Sequence, residues 1–377
     1  MARLAVEQTT LANGVRVVTA PVPSLSRAHV FVQLRGGPVH ETDDTWGISH
    51  LVEHMVFRGT DKHKDVRELT LCADDFGGDI AAATYRDRVA YDTRVDPDRL
   101  SDAFDLLSAM IAAPRFSSID VERAIIEEEI SELFDDDGRD IDAENALFSR
   151  VLAGHPLARS IEGTPEQLKK FTKKSVREFH GATYTGDNVV VSVAGPLSAR
   201  AVNAAAKKAF ARVPPGQRPP AGKAPLPPDK KTPVHLIETE APQTTARLCA
   251  PLPGFGHKDA AAAQVLARLL DDGPASRLQA RIVDRDGLAY SVWAMADLYE
   301  ERGVLELGGS VRPEHVGELV DALCRELRSV VKKPPTDDEL HRIAARCGRD
   351  IRDSLDDPSA LSEAVGKGVL FADPFRP

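Results

Sequence analysis

Eight prolines fall between Pro214 and Pro233, interspersed with glycine and lysine. Proline fixes φ and has no amide hydrogen, so neither a helix interior nor a central strand can run through such a stretch. The segment reads as a polar, semi-rigid connector near the middle of the chain. At 377 residues the chain is also too long for one ordinary core. The expectation is two domains, residues 1–212 and 234–377, joined by a linker over 213–233.

The order of elements starts again after that linker. In the first half, Asn13-Gly14 signals a type I′ hairpin. Strands follow at 15–19 and 28–34, a helix from about Trp46, a helix over 65–76 and one long strand over 79–95. Helices are expected at 96–113 and 119–134. Another runs from the capping box Thr164-Pro-Glu-Gln167 to about His180. A buried strand at 188–194 and a helix at 197–210 close this half. The second half reads as strands at 234–237 and 244–250, a helix at 259–270, a short helix at 276–283 and paired strands at 288–296 and 304–311. Helices at 314–331 and 336–355 end it. Two strands and then a helix open both halves, which points to duplication. Neither half alternates as βαβ, so each reads as an α+β domain of mixed sheet and helices.

The chemistry is concentrated in Gly47-Ile-Ser-His-Leu-Val-Glu-His54. His50 and His54 are four apart and stack on one helix face, with Glu53 bordering it. Two imidazoles so placed can bind one zinc ion, and the nearby carboxylate can take a proton from its water. The order His-x-x-Glu-His is the inverzincin form of the metalloprotease helix. A helix with two core histidines and a solvated glutamate is the competing reading.

A catalytic zinc site needs a third protein ligand. No other His or Cys lies near His54 in a helical context, and the acidic helix Val121–Phe134 is the obvious source. Glu127 and Glu128 have Arg123, Ala124, Ser131 and Glu132 as helical neighbours and read as solvated. Glu129 has Ile125, Ile126 and Leu133 around it, so it is placed on the apolar inward face, where a carboxylate needs a cation. Glu122 lies two turns back as a supporting group.

These residues resemble the pitrilysin family of zinc peptidases, which includes insulin-degrading enzyme and the mitochondrial processing peptidase. His50-Leu-Val-Glu-His-Met-Val-Phe-Arg-Gly-Thr60 with Glu129 carries the resemblance. Gly77-Gly78-Asp-Ile-Ala-Ala-Ala-Thr84 looks like the family's Gly-Gly-x-x-Asn-Ala-x-Thr strand. Ser276-Arg-Leu and Asp286-Gly-Leu-Ala-Tyr290 look like its C-terminal signature. The match spans almost the whole chain, as a short two-domain bacterial-type member. It implies one zinc ion per chain at His50, His54 and Glu129, with Glu53 as general base, Glu122 in support and Tyr290 as a further catalytic group. It also implies two homologous domains forming half of a clamshell, closed into a chamber by a second copy or a homologous chain. Unfolded polypeptide or peptide would be the substrate, docked along strand 79–84.

Three departures stand against the family pattern. Ala81 replaces an Asn that holds substrate backbone, and Val283 replaces the Arg of an Arg/Tyr pair with Tyr290. The chain also ends where the family continues into a further strand and helix, so the second domain is expected to be shortened. The second half has Ala260-Ala-Ala-Ala-Gln-Val-Leu266 where the first has its histidines, so only one half can do the chemistry.

Composition narrows the remaining classes. A net charge of −10 and a pI near 5.6 argue against nucleic-acid binding. The four cysteines are scattered, with no C-x-x-C pair. The N-terminus carries no apolar signal region and no run approaches a membrane span, which makes a cytoplasmic enzyme the expectation. A non-catalytic scaffold subunit is the rival function, although such subunits lose part of the zinc motif. A metal-storage or sensor module would not need Glu53.

Overall fold

In the computed structural model, residues 5–219, 234–238 and 241–371 are described. They pack as two compact units, and these are not the continuous halves expected from sequence. Unit 1 takes residues 1–142, 155–224 and 353–377; unit 2 takes 143–154 and 225–352.

Unit 1 is built on strands β1 (Glu7–Thr10), β2 (Arg16–Pro21), β3 (Ala28–Arg35), β4 (Ile80–Thr84), β5 (Arg88–Val95) and β6 (Val189–Gly195). Their order in the sheet is β1-β2-β6-β3-β5-β4; only β2 and β6 run parallel. The helices are α1 (Ile48–Val56), α2 (Val66–Asp75), α3 (Leu100–Ala112), α4 (Ile119–Ser131), α6 (Pro165–Lys170), α7 (Lys173–Thr183) and α8 (Ala199–Ala209). Strand side chains alternate between faces. Val17, Val30, Val32, Leu34, Tyr91, Val191 and Val193 form one core with Leu51, Met55, Phe104 and Leu107 of α1 and α3.

The opposite face is polar and is covered by α12 (Pro358–Phe371). Arg16 donates to the Val369 carbonyl (2.7 Å), Gln33 to that of Glu363 (3.1 Å), and His29 faces both Asp92 (3.2 Å) and Ser362 (3.4 Å). Gly366 allows this approach, since a Cβ there would lie 2.4 Å from Ser192 Oγ.

Unit 2 has a three-stranded antiparallel sheet, β7 (Thr244–Pro253), β9 (Arg302–Val311) and β8 (Ser291–Leu298) in that order. Helices α9 (Ala260–Leu270), α10 (Val316–Lys332) and α11 (Asp337–Asp353), with a π-helical segment at Gln279–Arg285, complete the repeat. It also holds α5 (Ala143–Val151), whose Phe148 meets Tyr299 edge-on at 5.7 Å. In sequence, α5 follows α4 as α12 follows α11, and each of the two belongs to the unit other than the one it follows.

Several expectations change. The strand over 79–95 is a hairpin turned at Tyr85–Asp87, and no glycine or proline marks that turn. The first hairpin is closed by Leu11 and Val15 with only Gly14 at positive φ, so it is not type I′. The helix at 164–180 breaks at Phe171, whose ψ of 133° is extended, and restarts at a Thr172–Ser175 capping box. Residues 234–237 form no strand, and Val234 and Leu236 are 85% and 84% exposed. Helices α5 and α12 were not anticipated. Of the linker expected over 213–233, residues 220–233 lie outside the described residues. Its first part is tied to unit 1, with the Pro214 carbonyl accepting from Gly186 (2.9 Å) and the Gln217 carbonyl from Thr185 (3.1 Å). Among the described residues no helix is long and apolar enough to cross a membrane.

Candidate metal centre

Helix α1 buries Ile48, Leu51, Val52, Met55 and Val56 and leaves His50, Glu53 and His54 half-buried along one edge. Its entry is tightly specified. Gly47 has φ +91°, and a Cβ there would meet the Glu162 carbonyl oxygen at 2.7 Å. The Glu41 carboxylate caps the helix, accepting from the amides of Gly47 and Ser49, both at 2.8 Å. Those amides would otherwise be unpaired at the helix N-terminus. Burial pushes the Glu41 carboxyl up to about 7, against the lowering effect of its hydrogen bonds to Ser49 and Gly47.

His50 Nε2 and His54 Nε2 lie 3.2 Å apart. Glu129 Oε2, from α4, lies 3.7 Å from the first and 3.8 Å from the second. Tetrahedral zinc with bonds of about 2.0–2.1 Å sets its ligand atoms about 3.4 Å apart, so this donor triangle fits such an ion in size and chemistry. Among the described residues no other group of three His, Cys, Asp or Glu side chains is close enough to share one.

The ring of His54 is oriented by Glu122, whose Oε2 is 2.9 Å from Nδ1, leaving Nε2 to face the centre. Burial raises the Glu122 carboxyl, but hydrogen bonds from His54 and Arg58 outweigh it and hold the group below its ordinary value. His50 has no such partner; its Nδ1 is buried without a hydrogen bond. Burial and the charge of His54 push His50 down to about 3, which keeps it neutral.

Glu53 accepts from Thr84 Oγ1 at 2.7 Å, across from the last residue of β4. Burial raises its carboxyl above the usual range, with the Thr84 bond opposing. A carboxylate thus borders the donor triangle, next to a strand at the sheet's edge.

Position by position, the expected residues separate into those brought together and those that are not. His50, His54, Glu129, Glu53 and Glu122 converge. The burial argument for Glu129 does not hold, however. Its side chain is 41% exposed, as is Ile125, while Glu122 shares the buried face of α4 with Ile126 and Ile130. Glu129 sits at the rim of the helix and Glu122 on its buried face. Glu128 is exposed and Glu127 partly buried. Tyr290 belongs to unit 2 and is 91% exposed, just before β8. Val283 packs on the unit 2 core, and Ala81 lies exposed on β4.

Glu41 and Thr84 were missed as functional residues. Thr84 stood inside a quoted motif without a role. Glu41 stands nine residues before His50 in a loop, with Asp43 and Asp44 just after it, and no local spacing rule singles it out.

Comparison with known proteins accounts for both units. Residues 16–165 match the family described as Insulinase (Peptidase family M16), and residues 170–347 match the Peptidase M16 inactive domain. A zinc protease of Streptomyces coelicolor is 30% identical over 379 residues, covering 97% of this chain and 80% of that protein. The mitochondrial-processing peptidase subunit beta of Dictyostelium discoideum is 26% identical, covering 96% and 79%. The crystal structure of a protease from Helicobacter pylori superimposes with a TM-score of 0.86 at 23% identity, over 97% of this chain and 89% of that one. The fold is therefore the two-domain, pitrilysin-like one, and the chain belongs to the M16 (insulinase) family of zinc peptidases.

Proposed function

We propose that this chain is a zinc-dependent endopeptidase that cuts unfolded polypeptides or peptides, with His50, His54 and Glu129 holding one zinc ion. The observation that carries this reading is the donor triangle with Glu53 beside it on the same helix edge. Zinc, when bound, supplies the positive charge that polarises a scissile carbonyl and acidifies water. Glu53 takes the proton of the attacking water and returns it to the leaving amine. Thr84 holds that carboxylate in place, and Glu122 holds His54 in the tautomer that leaves Nε2 free.

The edge strand β4 offers unpaired backbone beside the centre. An extended peptide can add to it as a further strand, giving main-chain recognition that tolerates varied sequences. Glu53→Gln tests the assignment: cleavage of an unstructured polypeptide should fall by about 100-fold or more while zinc stays bound. Undiminished turnover overturns it.

A second reading is favoured by Ala81 and Val283, which take the places of the family's Asn and Arg, and by a relative named as one subunit of a processing peptidase. In that reading the chain cuts only when a homologous partner chain completes the chamber. Cleavage by the purified chain alone rules it out. A zinc-loaded chain that is inert alone and active with a homologous chain supports it.

A further inference from the structure

We infer that unit 2 carries a binding pocket for a small phosphate-type dianion, formed by arginines of α9 and α11. A concavity of about 250 Å³ opens between the end of α9, the loop Asp271–Ala275 and α11. Arg268, Arg342, Arg346 and Arg349 line it. The last three recur at i, i+4 and i+7, so they rise along one face of α11, where like charges repel.

The carboxylates nearby do not balance these cations. Glu339 is held by Arg277 through two bonds of 2.8 and 2.9 Å. Arg268 takes Asp350 at 2.6 Å and Asp272 at 3.3 Å. Arg346 also reaches the Asp272 carboxylate, at 3.6 Å, and donates to its backbone carbonyl. Arg346 is fixed there because Gly273, at φ +96°, has no Cβ; one would lie 2.4 Å from Nη1. The Asp271 carboxylate is taken by Ser276 and Gln279, both at 3.3 Å, rather than by an arginine. Three of the five guanidiniums are thus paired, and Arg342 and Arg349, both exposed, have no hydrogen bond or ion pair among the described residues.

Two guanidiniums without a carboxylate beside one concavity match a dianion. The guanidinium fork fits phosphate oxygens in pairs, and the buried Leu269 and Ile343 form the apolar floor beneath them. The volume lies below that of pockets for drug-sized ligands and suits phosphate or diphosphate. The chain as a whole carries −10, so this basic hollow runs against its general charge.

Titration calorimetry of the full chain with sodium diphosphate, and separately with inorganic phosphate, tests this at low ionic strength. The expected result is one saturable site per chain, weakened about tenfold or more in Arg342→Ala/Arg349→Ala. Because neither arginine is paired, the ligand-free melting temperature should not move, and Arg342→Lys/Arg349→Lys should recover part of the affinity. Absence of saturable binding overturns the inference. So does equal binding by the alanine variant, which would put the anion elsewhere, such as the metal centre. A glutamate-rich peptide that binds the site more tightly than diphosphate also overturns it, in favour of an acidic polypeptide.

Discussion

The two units run through the same seven elements in the same order. In unit 1 they are β3, α1, α2, β4, β5, α3 and α4; in unit 2 they are β7, α9, the π-helical segment, β8, β9, α10 and α11. The strands pair alike, β3-β5-β4 and β7-β9-β8, antiparallel throughout. Counted from the first helical residue, His50, Glu53 and His54 of α1 correspond to Ala262, Val265 and Leu266 of α9. The helix that supplies Glu129 in one unit is arginine-rich in the other. The apolar face that docks each first helix on its sheet is kept, whereas the half-buried edge is free to differ. Chemistry in this fold therefore sits where packing does not need it.

The strongest test makes α1 resemble α9. His50→Ala/Glu53→Val/His54→Leu should lose stoichiometric zinc and all peptidase activity while the circular dichroism spectrum stays native. Unfolding of this variant would break the comparison, because it would make the edge part of the core. Glu53→Gln alone should lower kcat by about 10²–10⁴-fold with zinc content unchanged.

A smaller effect is expected one layer out. Glu122→Gln keeps the shape beside His54 but removes the charge, and zinc affinity should fall about 10–100-fold in a chelator competition. No equivalent change in unit 2 should alter zinc content.

Glu41 gives a pH signature. Its carboxyl is raised from 4.5 to about 7 in the folded chain, so the folded state holds that proton over this window. The stability it contributes is complete below pH 4.5 and is lost as pH rises through 7. A shift of this size corresponds to roughly 3 kcal/mol. The difference in unfolding free energy between the native chain and Glu41→Gln should change across that window and be flat on either side. A constant difference would show that Glu41 does not titrate there. The smallest expected effect is at Thr84→Val, which removes the donor to Glu53: kcat should fall about tenfold, with zinc content and melting temperature unchanged.

Much of this was legible in the residues because it is local. A spacing of four on a helix brings His50 and His54 together whatever surrounds them. A run of prolines interrupts regular structure wherever it occurs. The N-cap at Thr164 and the strand at 28–34 rest on neighbours within a few positions, although Gln167 donates to the Asp43 carbonyl instead of closing the expected capping box. The turn at Tyr85–Asp87 was not legible, since Arg86 is held there by the carbonyls of Leu157 and Arg159, far along the chain.

The sequence by itself determined the histidine-bearing helix, the carboxylate beside it, the acidic helix that brings Glu129 to it and the duplication of an α+β unit. Tertiary structure alone decided which acid of α4 faces the centre and which is buried, because that depends on how the helix is rotated against α1. It also decided that Glu41 caps α1, that Thr84 holds Glu53 and that α12 covers the polar face of the first sheet. Each of these joins groups distant in sequence, and such pairings are set by the packing of whole elements rather than by any local preference.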